Sequence, residues 1–210
     1  ANLSLRPGTP MDFLWEEMRA MIEFYRLAQN DTVVAYDLAW EPMFRNWERE
    51  PWNDAWRAWI VERYGSVTNA EEDWGYPAPR DAQGAITDPP YEQLTEDGPW
   101  RVMIAAYRRF LDTLLYRQYS RARRLVHTVD PNHLVSFRMS MAGDPTLNWG
   151  DAIAYDFAYL GGAVDILEPE AYGRLGDWER VKPGRFTFEY ARWANPELPM
   201  VWAEAGVHAW

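Results

Sequence analysis

The stretch Thr32-Val33-Val34-Ala35-Tyr36-Asp37-Leu38-Ala39-Trp40-Glu41-Pro42 decides how this chain reads. Thr32 to Leu38 is rich in β-branched and aromatic residues with little alternation, as in a parallel strand covered on both faces. Upstream, Thr9-Pro10-Met11-Asp12 is a helix start, with Thr9 as cap, Pro10 at the first helical position and an acid in the first turn. That helix is expected to run to about Ala28, with Leu14, Met18, Met21, Ile22 and Tyr25 as its core stripe. Asn30-Asp31 breaks the pattern. A helix followed by a buried strand is an α/β unit.

The alternation continues downstream. Residues 43–99 read as a long inserted loop with short helical pieces, such as Trp52 to Tyr64 ended by Gly65, and a Pro/Gly-rich stretch from Tyr76 to Pro90. Apolar periodicity within it is too weak to predict a core of its own. Trp100 to Val126 is strongly helical, with a stripe through Met103, Tyr107, Phe110, Leu114, Gln118, Ala122 and Leu125. After the Asp130-Pro131-Asn132 turn, His133 to Phe137 reads as the second strand. A helix near Asp151 to Leu160, a strand over Ala163 to Leu167, a helix over Phe186 to Trp193 and a strand over Pro199 to Ala203 follow. Short apolar strands alternating with amphipathic helices imply a parallel sheet with helices outside it.

Composition narrows the function. Of 210 residues, 48% are hydrophobic and 25% charged, which excludes a disordered or collagen-like chain. No segment approaches the run of about 18 apolar residues of a membrane-spanning helix. With 32 acidic against 21 basic residues the formal charge is -11, so nucleic acid and anionic membranes are poor partners and a neutral or cationic ligand suits better. The absence of cysteine removes disulfides, thiolate metal sites and a cysteine nucleophile. Ala1 to Arg6 lacks the pattern of a signal peptide, which leaves the compartment open. The 13 tryptophans stand out, and Trp47, Trp52, Trp56 and Trp59 crowd one stretch. Indoles serve equally in a core and as platforms for the apolar faces of sugar rings.

In parallel α/β folds chemistry gathers at the carboxyl ends of the strands. The expected ends carry Glu41; Arg138; Glu168, Glu170 and Tyr172; and Glu204. Two carboxylates facing each other across a cleft can cleave a glycosidic bond, one donating a proton to the leaving oxygen and the other attacking the anomeric centre. Glu41 and Glu204 are the expected pair, because both directly follow strands. Glu168 and Glu170 flank Pro169 in an expected loop and suit substrate contacts.

Two of these stretches resemble motifs of the clan A glycoside hydrolases. Val33 to Pro42 is similar to the clan's acid/base strand, an apolar run ending in Asn-Glu-Pro, and Pro199-Met200-Val201-Trp202-Ala203-Glu204-Ala205-Gly206 to its nucleophile strand. Trp59 to Gly65, Trp74-Gly75 and Pro89-Pro90 resemble the insertion of β-galactosidase-like members. The resemblance implies a (β/α)8 barrel of the TIM type, of which residues 1–210, as a single partial domain, supply strands four to seven with their outer helices. It further implies a retaining reaction on β-linked neutral sugars, with Glu41 as acid/base, Glu204 as nucleophile, and Tyr172 as the tyrosine that hydrogen-bonds the nucleophile. Trp40, Arg138, Glu170 and His208 would contact substrate or tune the pair. No cofactor or metal is implied. Trp40 replaces the clan's asparagine, so recognition of the sugar there must differ. A closed barrel needs eight strands and about 250 residues, so the chain is expected to be a piece of a longer enzyme or to complete its sheet with another chain or copy.

Two rivals carry different expectations. A non-catalytic carbohydrate-binding protein on the same scaffold would need the aromatics and not the carboxylate pair. A metal-dependent hydrolase would use Asp37, Glu41, Glu204 and His208, but the strand before Glu204 and Gly206 after it argue against the helix that would bring Glu204 and His208 together. His127 at a helix end, His133 at a strand start, Asp37 as a buried hydrogen-bonded acid and Arg121 to Arg124 as a solvated face all read as structural.

Overall fold

The computed structural model describes residues 11–40, 44–45, 52–139, 152–153, 156–174 and 187–208; Glu41 and Trp47 lie outside them. Four strands, β1 (Ala35–Trp40), β3 (Leu134–Met139), β5 (Glu168–Arg174) and β6 (Glu204–His208), form a parallel sheet in the order β1-β3-β5-β6. A short antiparallel pair, β2 (Phe44–Arg45) with β4 (Ala152–Ile153), stands apart.

Helix α1 (Met11–Phe24) ends earlier than its apolar pattern predicts, because Arg26 turns left-handed (φ 51°) and a 3-10 turn over Leu27–Gln29 follows. Of its expected stripe, Ile22 is buried, Met18 half-buried, and Met21 and Tyr25 exposed. The long helix α5 (Arg101–His127) is the main support of the sheet. Its buried stripe follows Met103, Tyr107 and Phe110, then drifts to Leu111, Leu115, Tyr119, Ala122 and Val126. Tyr119 stacks on Phe137 of β3 with centroids 3.9 Å apart. Val135, Phe137 and Met139 therefore form the helix-facing side of β3, and Ser136 and Arg138 alternate to the other.

The segment expected to be a loop without a core is folded. It contains α2 (Asn53–Tyr64), α3 (Val67–Trp74) and α4 (Tyr91–Thr95). Trp52, Trp56 and Trp59 fall at helical spacing, so α2 buries one aromatic face against α3 and α5. Trp56, fully buried, lies 5.5 Å from Trp59, 5.7 Å from Trp74, 5.2 Å from Tyr107 and 5.3 Å from Phe110, centroid to centroid. These indoles are core, not sugar platforms. Gly65 ends α2 at φ 79°, a conformation open to glycine, and Ser66 caps α3 by accepting the Asn69 N–H.

Three other boundaries move. The helix expected from Asp151 starts only at Phe157 (α6, Phe157–Leu160), where the Asp156 carboxylate accepts the Ala158 N–H, and Ala152–Ile153 is extended instead. The apolar run Ala163 to Leu167 is not a full strand: Gly161–Ala163 is a 3-10 turn and β5 begins at Glu168. Its partner shifts likewise, from Pro199–Ala203 to β6. Parallel pairing nevertheless starts within both expected stretches, with a bridge between Leu167 and Met200. The helix over residues 187–194, here α7, lies where expected. It locks onto α6 through Asn195, which donates to the Phe157 carbonyl and sits so close to Gly161 that a β-carbon there would meet Asn195 Oδ1 at 1.7 Å.

The amino ends of the strands are pinned by a polar network. Asp130, fully buried, accepts hydrogen bonds from Tyr36 Oη (2.5 Å), His133 Nδ1 (2.7 Å) and the Asn132 and His133 N–H groups (3.1 Å each). Burial alone would raise the Asp130 carboxyl, but those donors outweigh it and hold it down to about 2. Desolvation, reinforced by the Asp130 charge, raises the Tyr36 hydroxyl above its ordinary value. Asp165 accepts the Val135 N–H and pairs with His127 and Arg123 at 2.7 and 2.8 Å. His127 and Arg123 thus clamp helix to strand, a more specific role than a helix-dipole charge or a solvated face.

Candidate active site

The sheet register brings the polar residues into two adjacent rows. An irregularity between Asp37 and Trp40 places Trp40 opposite Arg138; Arg138 is in turn opposite Glu168, and Glu170 opposite Glu204. Partners in parallel strands share a face, as do residues two apart, so Arg138, Glu168 and Glu170 lie on the face of β3 and β5 turned away from α5. Asp37, opposite Ser136, belongs to the same side.

Arg138 organises the described part of these rows. Its backbone N–H donates to Asp37 Oδ1 (3.0 Å), and its Nε lies 3.6 Å from Asp37 Oδ2 and 3.8 Å from Glu170 Oε1. Asp37 also accepts the Ala39 N–H. It is hydrogen-bonded as expected but not buried, its side chain being 34% exposed. Glu170 is only 1% exposed, so the nearby guanidinium matters to its charge. Glu168 is half-buried, and burial pushes its carboxyl up to about 7; the Asp37 charge pushes the same way, and Arg138 opposes both. Carboxyl groups gathered around one guanidinium can hold sugar hydroxyls.

Arg138, Glu170 and the strand positions of Trp40 and Glu204 are therefore brought together. They stand within the strands rather than just past them; Glu204 is the first residue of β6 and Trp40 the last of β1. Tyr172 is paired with Gly206. His208 is paired with Arg174, four residues beyond Glu204 along an extended strand, a rise of about 13 Å. That spacing is too long for Glu204 and His208 to share one metal ion. Glu168, expected in a loop as a substrate contact, is instead the first residue of β5 and stands opposite Arg138. No helix among the described residues is long and apolar enough to cross a membrane.

A cleft unforeseen in the sequence lies between α2, α5 and α6. This cleft of about 460 Å³ is lined by Trp59, Glu62, Arg63, Arg109, Thr113, Arg117 and Tyr159. Arg109 stacks on the Tyr159 ring at 4.5 Å and faces Asp112 and Asp156 at 3.6 and 3.7 Å, while Arg117 pairs with Glu62. Burial drives the Asp112 carboxyl up to about 7 despite Arg109.

No family model matches the chain. Over 140 residues, 61% of its length, it is 31% identical to the β-galactosidase Bga of Halorubrum lacusprofundi. It spans about a fifth of that relative, 19% of its length. Its fold matches the cold-adapted β-galactosidase from Rahnella sp. R3 (TM-score 0.59, 16% identity, 80% of this chain and 23% of that one). It likewise matches the β-galactosidase from Bacillus circulans sp. alkalophilus (TM-score 0.62, 15% identity, 88% of this chain and 26% of that one). The likeness to the clan A glycoside hydrolases thus holds in both sequence and fold.

Proposed function

We propose that this chain belongs to a retaining glycoside hydrolase that cleaves β-linked neutral sugars, β-galactosides first among them. Its four strands are read as the fourth to seventh of a (β/α)8 barrel. The observation that supports this best is the register: Trp40, immediately before Glu41, stands opposite Arg138 and so level with Glu168, while Glu204 stands opposite Glu170, two residues further along β5 on the same face. In this reading the Glu41 carboxyl protonates the glycosidic oxygen while the Glu204 carboxylate attacks the anomeric carbon and the leaving sugar departs. Water, deprotonated by Glu41, then attacks that carbon and releases Glu204. Arg138 and Glu170 contact or orient the sugar, and Tyr172 serves Glu204.

The remaining barrel strands would join at β1 and β6, the outer strands of the sheet. Apolar side chains stand exposed beside both: Phe24, Tyr25 and Val34 ahead of β1, and Trp193, Val201 and Trp202 ahead of β6. Glu204→Gln is expected to abolish turnover of a nitrophenyl β-D-galactopyranoside while leaving the far-ultraviolet circular dichroism unchanged. Undiminished turnover in that variant would exclude Glu204 as nucleophile. Sugar binding without turnover, indifferent to Glu41→Gln, would favour a binding protein instead.

A further inference from the structure

Glu168 has no role in the reaction just described, yet the sheet places it between the Arg138 and Glu170 positions. It is the register partner of Arg138, two residues from Glu170 on the same strand face. The charged groups around it among the described side chains are Asp37 from β1, Arg138 from β3 and Glu170 from its own strand. Its Oε2 is buried and has no hydrogen-bond partner among the described residues. A buried polar oxygen is costly unless something pairs with it. Asp37 and Glu170 already face the only cation of the described rows, so an ionised Glu168 would be a third carboxylate on one guanidinium.

We infer that Glu168 is a specificity-determining residue, whose uncharged carboxyl group donates a hydrogen bond to one hydroxyl of the bound sugar. This deepens the glycosidase reading and rests on it for the identity of the ligand. The upward displacement of its carboxyl to about 7 agrees with a donor at neutral pH. A site built to donate to a hydroxyl discriminates against the sugar that lacks it.

The test is calorimetric titration of the full chain with D-galactose and with its monodeoxy analogues. The unsubstituted chain should bind one analogue about tenfold more weakly than galactose. Glu168→Leu, which cannot donate, should weaken galactose about tenfold and bind that analogue no more weakly than galactose. Glu168→Gln keeps an N–H donor and should stay within about threefold of the original affinity. Unaltered galactose affinity and unaltered discrimination in Glu168→Leu would overturn the inference. If Glu168→Leu does not fold, pH decides: galactose affinity should fall between about pH 6 and pH 8 in the unsubstituted chain and stay level in Glu168→Gln. Equal pH dependence in the two would overturn it, as would failure of the unsubstituted chain to bind galactose. Hydrolysis is measured separately. Galactose binding that depends on Glu168, without hydrolysis, would remove the glycosidase reading and leave this one standing.

Discussion

Replacing Trp56 by alanine separates a packing role for the clustered indoles from a sugar-binding one. Trp56 is fully buried and packs against Trp59, Trp74, Tyr107 and Phe110 at centroid distances of 5.2 to 5.7 Å. A buried indole covers roughly 150–250 Å², which at about 25 cal/mol per Å² is about 4–6 kcal/mol. Large aromatic truncations in cores cost about 3–5 kcal/mol, because the cavity partly collapses. With a urea m-value of about 2–3 kcal/mol/M, the midpoint of unfolding should fall by about 1–2 M. Circular dichroism is the assay of choice, since the substitution removes a fluorophore. Galactose affinity, measured below the transition where the variant is folded, should be unchanged. A loss of stability under about 1 kcal/mol, or loss of sugar binding in folded protein, would refute the assignment of this cluster to the core.

Three further outcomes follow from the buried acids and from one close contact. Asp112 has its carboxyl raised to about 7, so the folded state binds a proton more tightly than the unfolded state. Stability should therefore fall as pH rises from about 4 to about 7, by at most about 4 kcal/mol, and Asp112→Asn should flatten that slope in thermal melts at pH 5 and pH 8. Asp130 has the opposite sign: its carboxyl is depressed to about 2, so its contribution is complete above about pH 4 and is lost as pH falls through 2. Asp130→Ala should cost about 3 kcal/mol at pH 7 in denaturant titrations, because it strands the Tyr36 hydroxyl and His133. Gly161→Ala should lower the melting temperature, since the new methyl would collide with Asn195; an unchanged melt would show that the α6–α7 contact yields freely.

The parts of the fold legible in the sequence are those where one physical signal dominates. β1 and β3 lie within or beside their apolar runs, and α5 follows its expected stripe for about two turns, Met103 to Phe110, before the stripe drifts. The drift arises because a straight helix of 3.6 residues per turn does not keep a fixed spacing over its whole length. The expected position of β5 is shifted because hydrophobicity misleads: the mostly apolar run Ala163 to Leu167 leads out of a 3-10 turn through a bend, while Glu168 and Glu170 are strand residues on the polar face of the sheet. A strand with one apolar and one polar face reads as a loop when its polar residues are glutamates beside a proline. The aromatic insertion was misjudged for a related reason, since its apolar residues are indoles at the spacing of Trp52, Trp56 and Trp59 and not aliphatics. Of the candidate site, Arg138 and Glu170 could be picked out from sequence, but their meeting across strands depends on a register no local pattern encodes. Glu168 could be named as a substrate contact from sequence, but its place opposite Arg138 is apparent only once that register is known.

The proposed double displacement preserves anomeric configuration, and proton magnetic resonance of a nitrophenyl β-D-galactopyranoside digest reads it directly. The first sugar released by the full chain should be the β-anomer, appearing before mutarotation and absent with Glu204→Gln. Release of the α-anomer first, or the same release from Glu204→Gln, would contradict it.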